Sequence, residues 1–304
     1  MSSFSIIIPT HNAGPHFKLL LERLRSQKGE LKEIVVIDSS SSDSTEAVSQ
    51  EFNATFMTIP KFSFDHGGTR NSAAKVATGD ILLFITQDIM PADNDLLVSF
   101  NQVFSDRIVG GAYARQIPRV GANPVEALTR QFSYPEKGRI NSYDDLLKSG
   151  VTALYFANPC ACIRRTVFME VGGFPDRVIC NEDMVIAHKM LKAGYKTAYV
   201  PLAVVRHSHD YSAVRLFRRY FDIGVFFASY RELRSNAKNS SEGLNQTIKS
   251  LHALSNRRYW RWIPKLIKET VVKMVGYKIG QQFRWLPVRI RKMLSMNKNF
   301  WGKR

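Results

Sequence analysis

The sequence predicts an α/β protein: a doubly wound, mostly parallel sheet followed by a helical, basic appendage at the C-terminus. Two observations carry this. Short apolar runs rich in Ile and Val alternate with stretches of helical periodicity through the first 200 residues, and Lys and Arg crowd into the last fifty. Residues 4–8 predict a buried strand that opens into a loop at Pro9. Residues 16–27 set Phe17, Leu20, Leu21 and Leu24 at helical spacing. Residues 33–38 predict a second buried strand, and a polar loop over 39–44 follows. A short helix is expected over 45–52 and a third strand over 54–59. Residues 70–77 predict a helix ended by Gly79, and 81–85 a fourth strand. Further on, a helix over 184–193 ends at Gly194, and 197–205 form another apolar strand. Residues 210–256 read as helical, with a polar break at 235–243.

At 304 residues with 44% hydrophobic side chains, the chain can bury a full core and is not a disordered polypeptide. No run approaches the ~18 uninterrupted apolar residues that a bilayer span requires. The N-terminus lacks a basic, apolar, small-residue leader, so a cytosolic protein is expected. Cys160, Cys162 and Cys180 match no metal-binding spacing and are expected as reduced thiols. The net charge of +17 is uneven. Fourteen Lys and Arg lie between Arg257 and Arg304 against one acid, Glu269, and all four tryptophans share that segment.

In a doubly wound sheet, ligands sit beyond the carboxyl ends of the strands. Polar residues cluster there at Pro9-Thr10-His11-Asn12, at Asp38-Ser39 with Asp43, and at Thr86-Gln87-Asp88. Asn181-Glu182-Asp183 opens a helix, and Arg206-His207-Ser208-His209 follows a strand. Read singly, these residues have ordinary explanations. Asp88 could cap a loop, Glu182 and Asp183 could complement a helix N-terminus, and the histidines could be structural.

Together they resemble family 2 glycosyltransferases. Ser5 to Asn12 is similar to the family's opening strand, and Ile34 to Asp38 with Asp43 to its second. Asp65-His66-Gly67-Gly68-Thr69-Arg70-Asn71 and Thr86 to Pro91 resemble the bacterial rhamnosyltransferase branch. Gly172-Gly173-Phe174 and Glu182-Asp183 match later acceptor-side motifs. The resemblance runs from residue 4 to about 210. It implies a GT-A fold with a catalytic domain over 1–210, whose nucleotide-sugar half spans about 1–110 and acceptor half about 111–210. The helical C-terminal region would then span 211–304.

The resemblance also implies roles. A divalent cation, Mg²⁺ or Mn²⁺, would neutralise the departing nucleotide diphosphate. Its ligands would be Asp88, the remnant of an Asp-x-Asp motif, and His207, with His209 as a substitute. Imidazole is an acceptable ligand for Mn²⁺. Pro9, Thr10, Asn12, Asp38, Arg70, Gln87 and Asp88 would bind the nucleotide sugar, with Asp38 accepting from the base. Asp183 would be the general base of an inverting transfer, and Glu182 would orient the acceptor or a neighbouring loop. The helix N-terminus is expected to keep Asp183 ionised. The sugar donor implied is dTDP-β-L-rhamnose, with a UDP-hexose as the alternative. The acceptor would be a lipid-linked glycan of O-antigen or another surface polysaccharide.

Residues 260–277 and 283–296 interleave Trp, Ile, Val and Met with Lys and Arg. That composition predicts helices lying peripherally on the anionic cytoplasmic face of the inner membrane. Packing on the catalytic domain competes with that reading, and nucleic-acid binding is not expected. A basic binding protein that keeps the fold without chemistry is the alternative from another class.

Overall fold

The computed structural model describes residues 1–235 and 242–302. The polar break expected over 235–243 falls mostly outside them, as do Lys303 and Arg304. The described residues form one mixed sheet whose strands run β3-β2-β1-β4-β8-β6-β9-β5, with β7 pairing on β9. Its first part is wholly parallel: β1 (Phe4–Thr10), β2 (Leu31–Asp38), β3 (Thr55–Thr58) and β4 (Ile81–Ile85). Between them lie α1 (His16–Arg25), α2 (Thr45–Glu51) and α3 (His66–Val76). Ile6 and Ile8 enter the core on one face and Ile7 on the other, so both faces are covered and the runs stay apolar.

Helix α3 begins four residues earlier than its sequence suggests. Asp65 caps it by accepting from the Gly68 N–H at 2.7 Å, which outweighs two glycines in the first turn. The Gly68 N–H is thereby engaged. A Cβ on Gly67 would stand 2.2 Å from the Pro175 carbonyl oxygen. This pair of glycines therefore serves helix start and close packing.

The second part departs from the expected pattern. After β5 (Met90–Pro91) and α4 (Leu96–Val103) come β6 (Val109–Ile117), α5 (Pro124–Ser133), β7 (Arg139–Asn141) and α6 (Tyr143–Ser149). Then β8 (Cys160–Arg164) inserts antiparallel between β4 and β6. Cys160 and Cys162 are buried thiols of that strand. After α7 (Arg165–Glu170) and α8 (Glu182–Lys192), β9 (Lys196–Arg206) runs parallel to β6. Between Ala114 and Arg115 of β6 the pairing jumps from Val200 to Val204. Beyond it, Val205 and Arg206 of β9 also pair with β5.

The C-terminal helices are α9 (Ala213–Ser229), α10 (Arg231–Ser235), α11 (Glu242–Asn256), α12 (Ile263–Gln281) and α13 (Val288–Leu294). Phe221, Val225 and Phe226 of α9 share a buried cluster with Leu146, Leu154, Ile179 and Leu191, so the core continues across residue 210. Helices α9 and α12 cross with their backbones in contact. A Cβ on Gly280 would stand 2.1 Å from the Phe221 carbonyl oxygen, and one on Gly224 2.2 Å from that of Tyr277. Trp262 and Trp301 pack into satellite cores, whereas Trp260 and Trp285 are exposed. Among the described residues no helix is long and apolar enough to cross a membrane.

Candidate active site

A cleft of about 910 Å³ opens at the carboxyl ends of the central strands, lined among others by Asp88, Glu126, Asn158, Glu182, Asp183 and His207. Asp88 follows β4. The next residues, β5, return antiparallel onto β9 with Met90 opposite Arg206, which brings Asp88 to the residues that follow β9. Asp88 Oδ1 lies 3.6 Å from His207 Nε2, and Oδ2 lies 3.4 Å from His209 Nε2. One ligand atom from each residue lies within 4.8 Å of the others. Desolvation in the cleft works against the Asp88 charge although its side chain is 44% exposed, and the nearby His207 imidazole and the Thr86 hydroxyl, which donates at 2.6 Å, hold the carboxyl well below the usual range. Burial first, and His207 second, push His209 down to about 4, so near neutrality it offers a lone pair. A carboxylate and two imidazoles at this spacing fit a divalent cation.

The His207 ring is oriented from behind. Its Nδ1 lies 2.8 Å from Gln116 Oε1, and Arg130 donates to the same oxygen at 2.7 Å. Arginine can only donate, so that atom is the amide oxygen and His207 Nδ1 carries the proton. Nε2 is therefore the nitrogen turned toward Asp88, as in a ligand ring supported by an outer partner.

Glu182 and Asp183 open α8 from Asn181, which adopts a left-handed conformation with φ of 59°. Asparagine tolerates that geometry better than most residues. Glu182 is buried and accepts from Asn158 Nδ2 at 3.0 Å, with Arg70 Nη1 at 3.4 Å. Burial opposes its charge, but His66, Arg70 and the Asn158 amide outweigh it and lower its pKa. Asp183 goes the other way. Burial first, and the Glu182 charge second, push it up to about 7, against hydrogen bonds from the Asn158 and Met184 N–H groups. The expectation that the helix end keeps Asp183 readily ionised is thus corrected. A helix terminus contributes about 0.3–1 kcal/mol, less than the 1.36 kcal/mol of a single pKa unit.

The expected nucleotide residues gather separately at the ends of β1 and β2. Asp38 is 2% exposed and accepts from Thr10 Oγ1 at 2.8 Å, Ser41 N at 2.7 Å and Ser41 Oγ at 2.5 Å. Asn12, at φ of 47°, accepts from Ser42 N at 2.9 Å. Pro9 pairs with Ile37. Gln87 ties this cluster to Asp88, accepting from His11 N at 2.8 Å and donating to its carbonyl at 3.2 Å. Arg70 stands apart from them. It is 4% exposed, bonds the His66 carbonyl at 2.7 Å, and meets Glu182 in the cleft wall.

Asn158, Gln116 and Arg130 have no counterpart in the sequence reading. Gln116 ends β6, so the strand-end rule would have flagged it had that strand been recognised.

Residues 5–172 match the model of the family described as Glycosyl transferase family 2. The chain is a family 2 glycosyltransferase. The transferase is 37% identical to the O-antigen chain rhamnosyltransferase RfbN of Salmonella typhimurium, over 98% of this chain and 96% of that one. It is 34% identical to the O-antigen chain rhamnosyltransferase WbaN of Salmonella anatum, over 99% and 96%. The mannosyltransferase PcManGT of Pyrobaculum calidifontis, solved with GDP-Man and Mn²⁺, shares the fold of the transferase. Its TM-score is 0.61 at 19% identity, covering 90% of this chain and 86% of that one. The expected GT-A architecture is therefore the observed one.

Proposed function

We propose that this transferase moves L-rhamnose from dTDP-β-L-rhamnose, with inversion, onto a hydroxyl of a lipid-linked glycan in O-antigen or related surface-polysaccharide assembly. The observation that carries the chemistry is a carboxyl held near neutrality, Asp183, in one cleft with the Asp88–His207–His209 cluster. Similarity to two O-antigen chain rhamnosyltransferases over nearly the whole chain supports the sugar and the acceptor class.

The acceptor hydroxyl attacks the anomeric carbon from the face opposite the diphosphate. Its proton passes to an Asp183 carboxylate oxygen, while the anomeric C–O bond breaks and its electron pair leaves with the diphosphate. A base with a pKa near the working pH serves this step best. Glu182, charged and fixed by Arg70 and Asn158, sustains the basicity of its neighbour and anchors the loop that carries Asn158. Asp88, His207 and His209 would hold a divalent cation that neutralises the leaving diphosphate when bound. Two imidazoles favour Mn²⁺ over Mg²⁺, which prefers oxygen ligands. Asp38, Thr10 and Asn12 with Pro9 would seat the base and ribose, and Gln87 would hold that seat against Asp88.

The exposed side of α12 presents Ile267, Val271, Met274 and Val275 together with Lys268 and Lys278, and Trp285, just beyond the helix, is 87% exposed. This surface suits the anionic cytoplasmic face of the inner membrane. Calorimetric titration with dTDP, UDP and GDP, with and without Mn²⁺, tests the donor assignment. Metal-dependent binding that favours dTDP is expected, followed by rhamnosyl transfer in a direct assay. A preference for UDP would discard rhamnose, and binding of none would remove the enzymatic reading. Flotation with phosphatidylglycerol vesicles tests the membrane surface, with salt-sensitive binding expected.

A further inference from the structure

Glu126 lies in the cleft wall with a long ion pair to Arg119 and no hydrogen bond to hold its carboxylate among the described residues. The residue is 9% exposed, and both carboxylate oxygens are buried with no hydrogen-bond donor among the described residues. Arg119 Nε stands 4.0 Å from Oε1, too far for a hydrogen bond. Carboxylate oxygens stripped of water and left without donors are costly, so such a site asks for a ligand that supplies them.

The usual local partners are all diverted. Glu126 sits in the first turn of α5, where an acid could cap the helix, but Asn123 Oδ1 already accepts from Val125 N and Glu126 N at 3.1 Å each. Arg130, one turn on and ideally spaced for an ion pair, turns instead to Gln116 Oε1 at 2.7 Å. The Thr129 hydroxyl donates to the Val125 carbonyl at 2.8 Å. Helix α5 follows β6, which lies beyond β4 and β8 from the strands bearing Asp38 and Thr10. Through Arg130 and Gln116, the same helix supports His207. Glu126 therefore faces the cleft on the side away from the nucleotide cluster.

We infer that Glu126 binds the acceptor sugar, its two carboxylate oxygens accepting from a pair of neighbouring hydroxyls on the ring that receives the transferred sugar. A carboxylate has two acceptor atoms and no donor, which matches a vicinal diol. The inference rests on the glycosyl-transfer reading above.

The test uses the full chain with dTDP-rhamnose and a panel of undecyl-diphosphate-linked galactose, glucose, mannose and N-acetylglucosamine. Mono-deoxy analogues of the hexose that turns over complete the set. Glu126→Ala should raise the acceptor KM about 10- to 100-fold, the scale of one or two charge-assisted hydrogen bonds. The donor KM and the rate of donor hydrolysis should stay unchanged. Two of the deoxy analogues should be poor substrates for the wild type, and Glu126→Ala should no longer distinguish them from the parent sugar. Glu126→Gln, which keeps the shape, should show a smaller rise in acceptor KM and a thermal midpoint no lower than the wild type. Equal discrimination by wild type and variant, or a parallel loss in donor and acceptor KM, would overturn the inference and leave the transferase reading intact. A wild type that neither hydrolyses dTDP-rhamnose nor transfers to any member of the panel would sink the transferase reading together with it.

Discussion

The two ends of the site are built on opposite principles. At the proposed nucleotide end, Asp38, Thr10, Ser41 and Asn12 are joined by short hydrogen bonds beyond the ends of adjacent parallel strands. At the proposed acceptor end, the buried Glu182 and the half-buried Asp183 are consecutive acids, and Glu126 is left without hydrogen-bond donors among the described residues. A satisfied cluster is a preformed seat whose polar groups cost little to keep buried. A crowded, undersupplied cluster stores unfavourable electrostatics that ligand or reaction can relieve. The seat formed by Asp38, Thr10, Ser41 and Asn12 is thus filled in advance, whereas the Glu126 carboxylate keeps its lone pairs for a ligand.

That contrast can be broken most forcefully at Asp183. Replacement by Asn should lower kcat about 10³-fold, within the usual range for a general base, while nucleotide binding measured by calorimetry stays near wild type. The same variant should raise the thermal midpoint above pH 7. A carboxyl whose folded pKa is raised favours the fold only while protonated, so stability declines as pH rises from the ordinary carboxylate range through about 7. Unchanged turnover would remove Asp183 from the chemistry.

Next in size is Gln116→Leu, which removes the acceptor for His207 Nδ1 without touching a ligand atom. Metal affinity, read from Mn²⁺ titration of dTDP binding, should fall about 10- to 100-fold. An unaltered Mn²⁺ midpoint would mean that His207 orients itself.

The nucleotide end should respond differently. Thr10→Val leaves the Asp38 carboxylate one donor short, which should destabilise the fold by about 1–3 kcal/mol in urea unfolding and weaken dTDP binding with kcat nearly unchanged. A large fall in kcat alone would erase the distinction between seat and reactive corner.

The smallest effect sharpens the comparison through pH. Glu182→Gln removes the negative charge beside Asp183, so the acidic limb of the rate profile should move below about 7. An unmoved limb would mean that burial alone sets the basicity of Asp183.

How much of this was readable beforehand follows the same divide. The seat lies on β1, β2 and β4, whose Ile- and Val-rich runs are complete signals in a local window, and Thr10, Asn12 and Asp38 fall at the strand ends where ligands are expected. The strand over Ile81–Ile85 matches its predicted bounds. The second part gave weaker signals. Strand β6, with the sequence Val-Gly-Gly-Ala-Tyr-Ala-Arg-Gln-Ile, is interrupted by glycines that make room for Met190 and Tyr195, a requirement imposed by residues eighty positions away. Missing β6 meant missing Gln116 and α5, and with them Glu126. The acids of α8 were found by motif. Their displaced proton affinities were not, because burial comes from tertiary packing and His66, Arg70 and Asn158 lie far away in sequence, so that only the repulsion between Glu182 and Asp183 is written in adjacent residues.

The glycine-mediated crossing of α9 and α12 has a mechanical meaning. Helix α9 contributes Leu216, Arg219 and Tyr220 to the cleft wall, while α12 turns Ile267, Val271 and Met274 outward. Where the glycines meet, no side chain separates the two backbones, so sliding or tilting at those points would drive one backbone into the other. On the proposed function, a surface that seats the outer side of α12 would set the height and pitch of the cleft above it, and with them how far a tethered acceptor must extend to be reached.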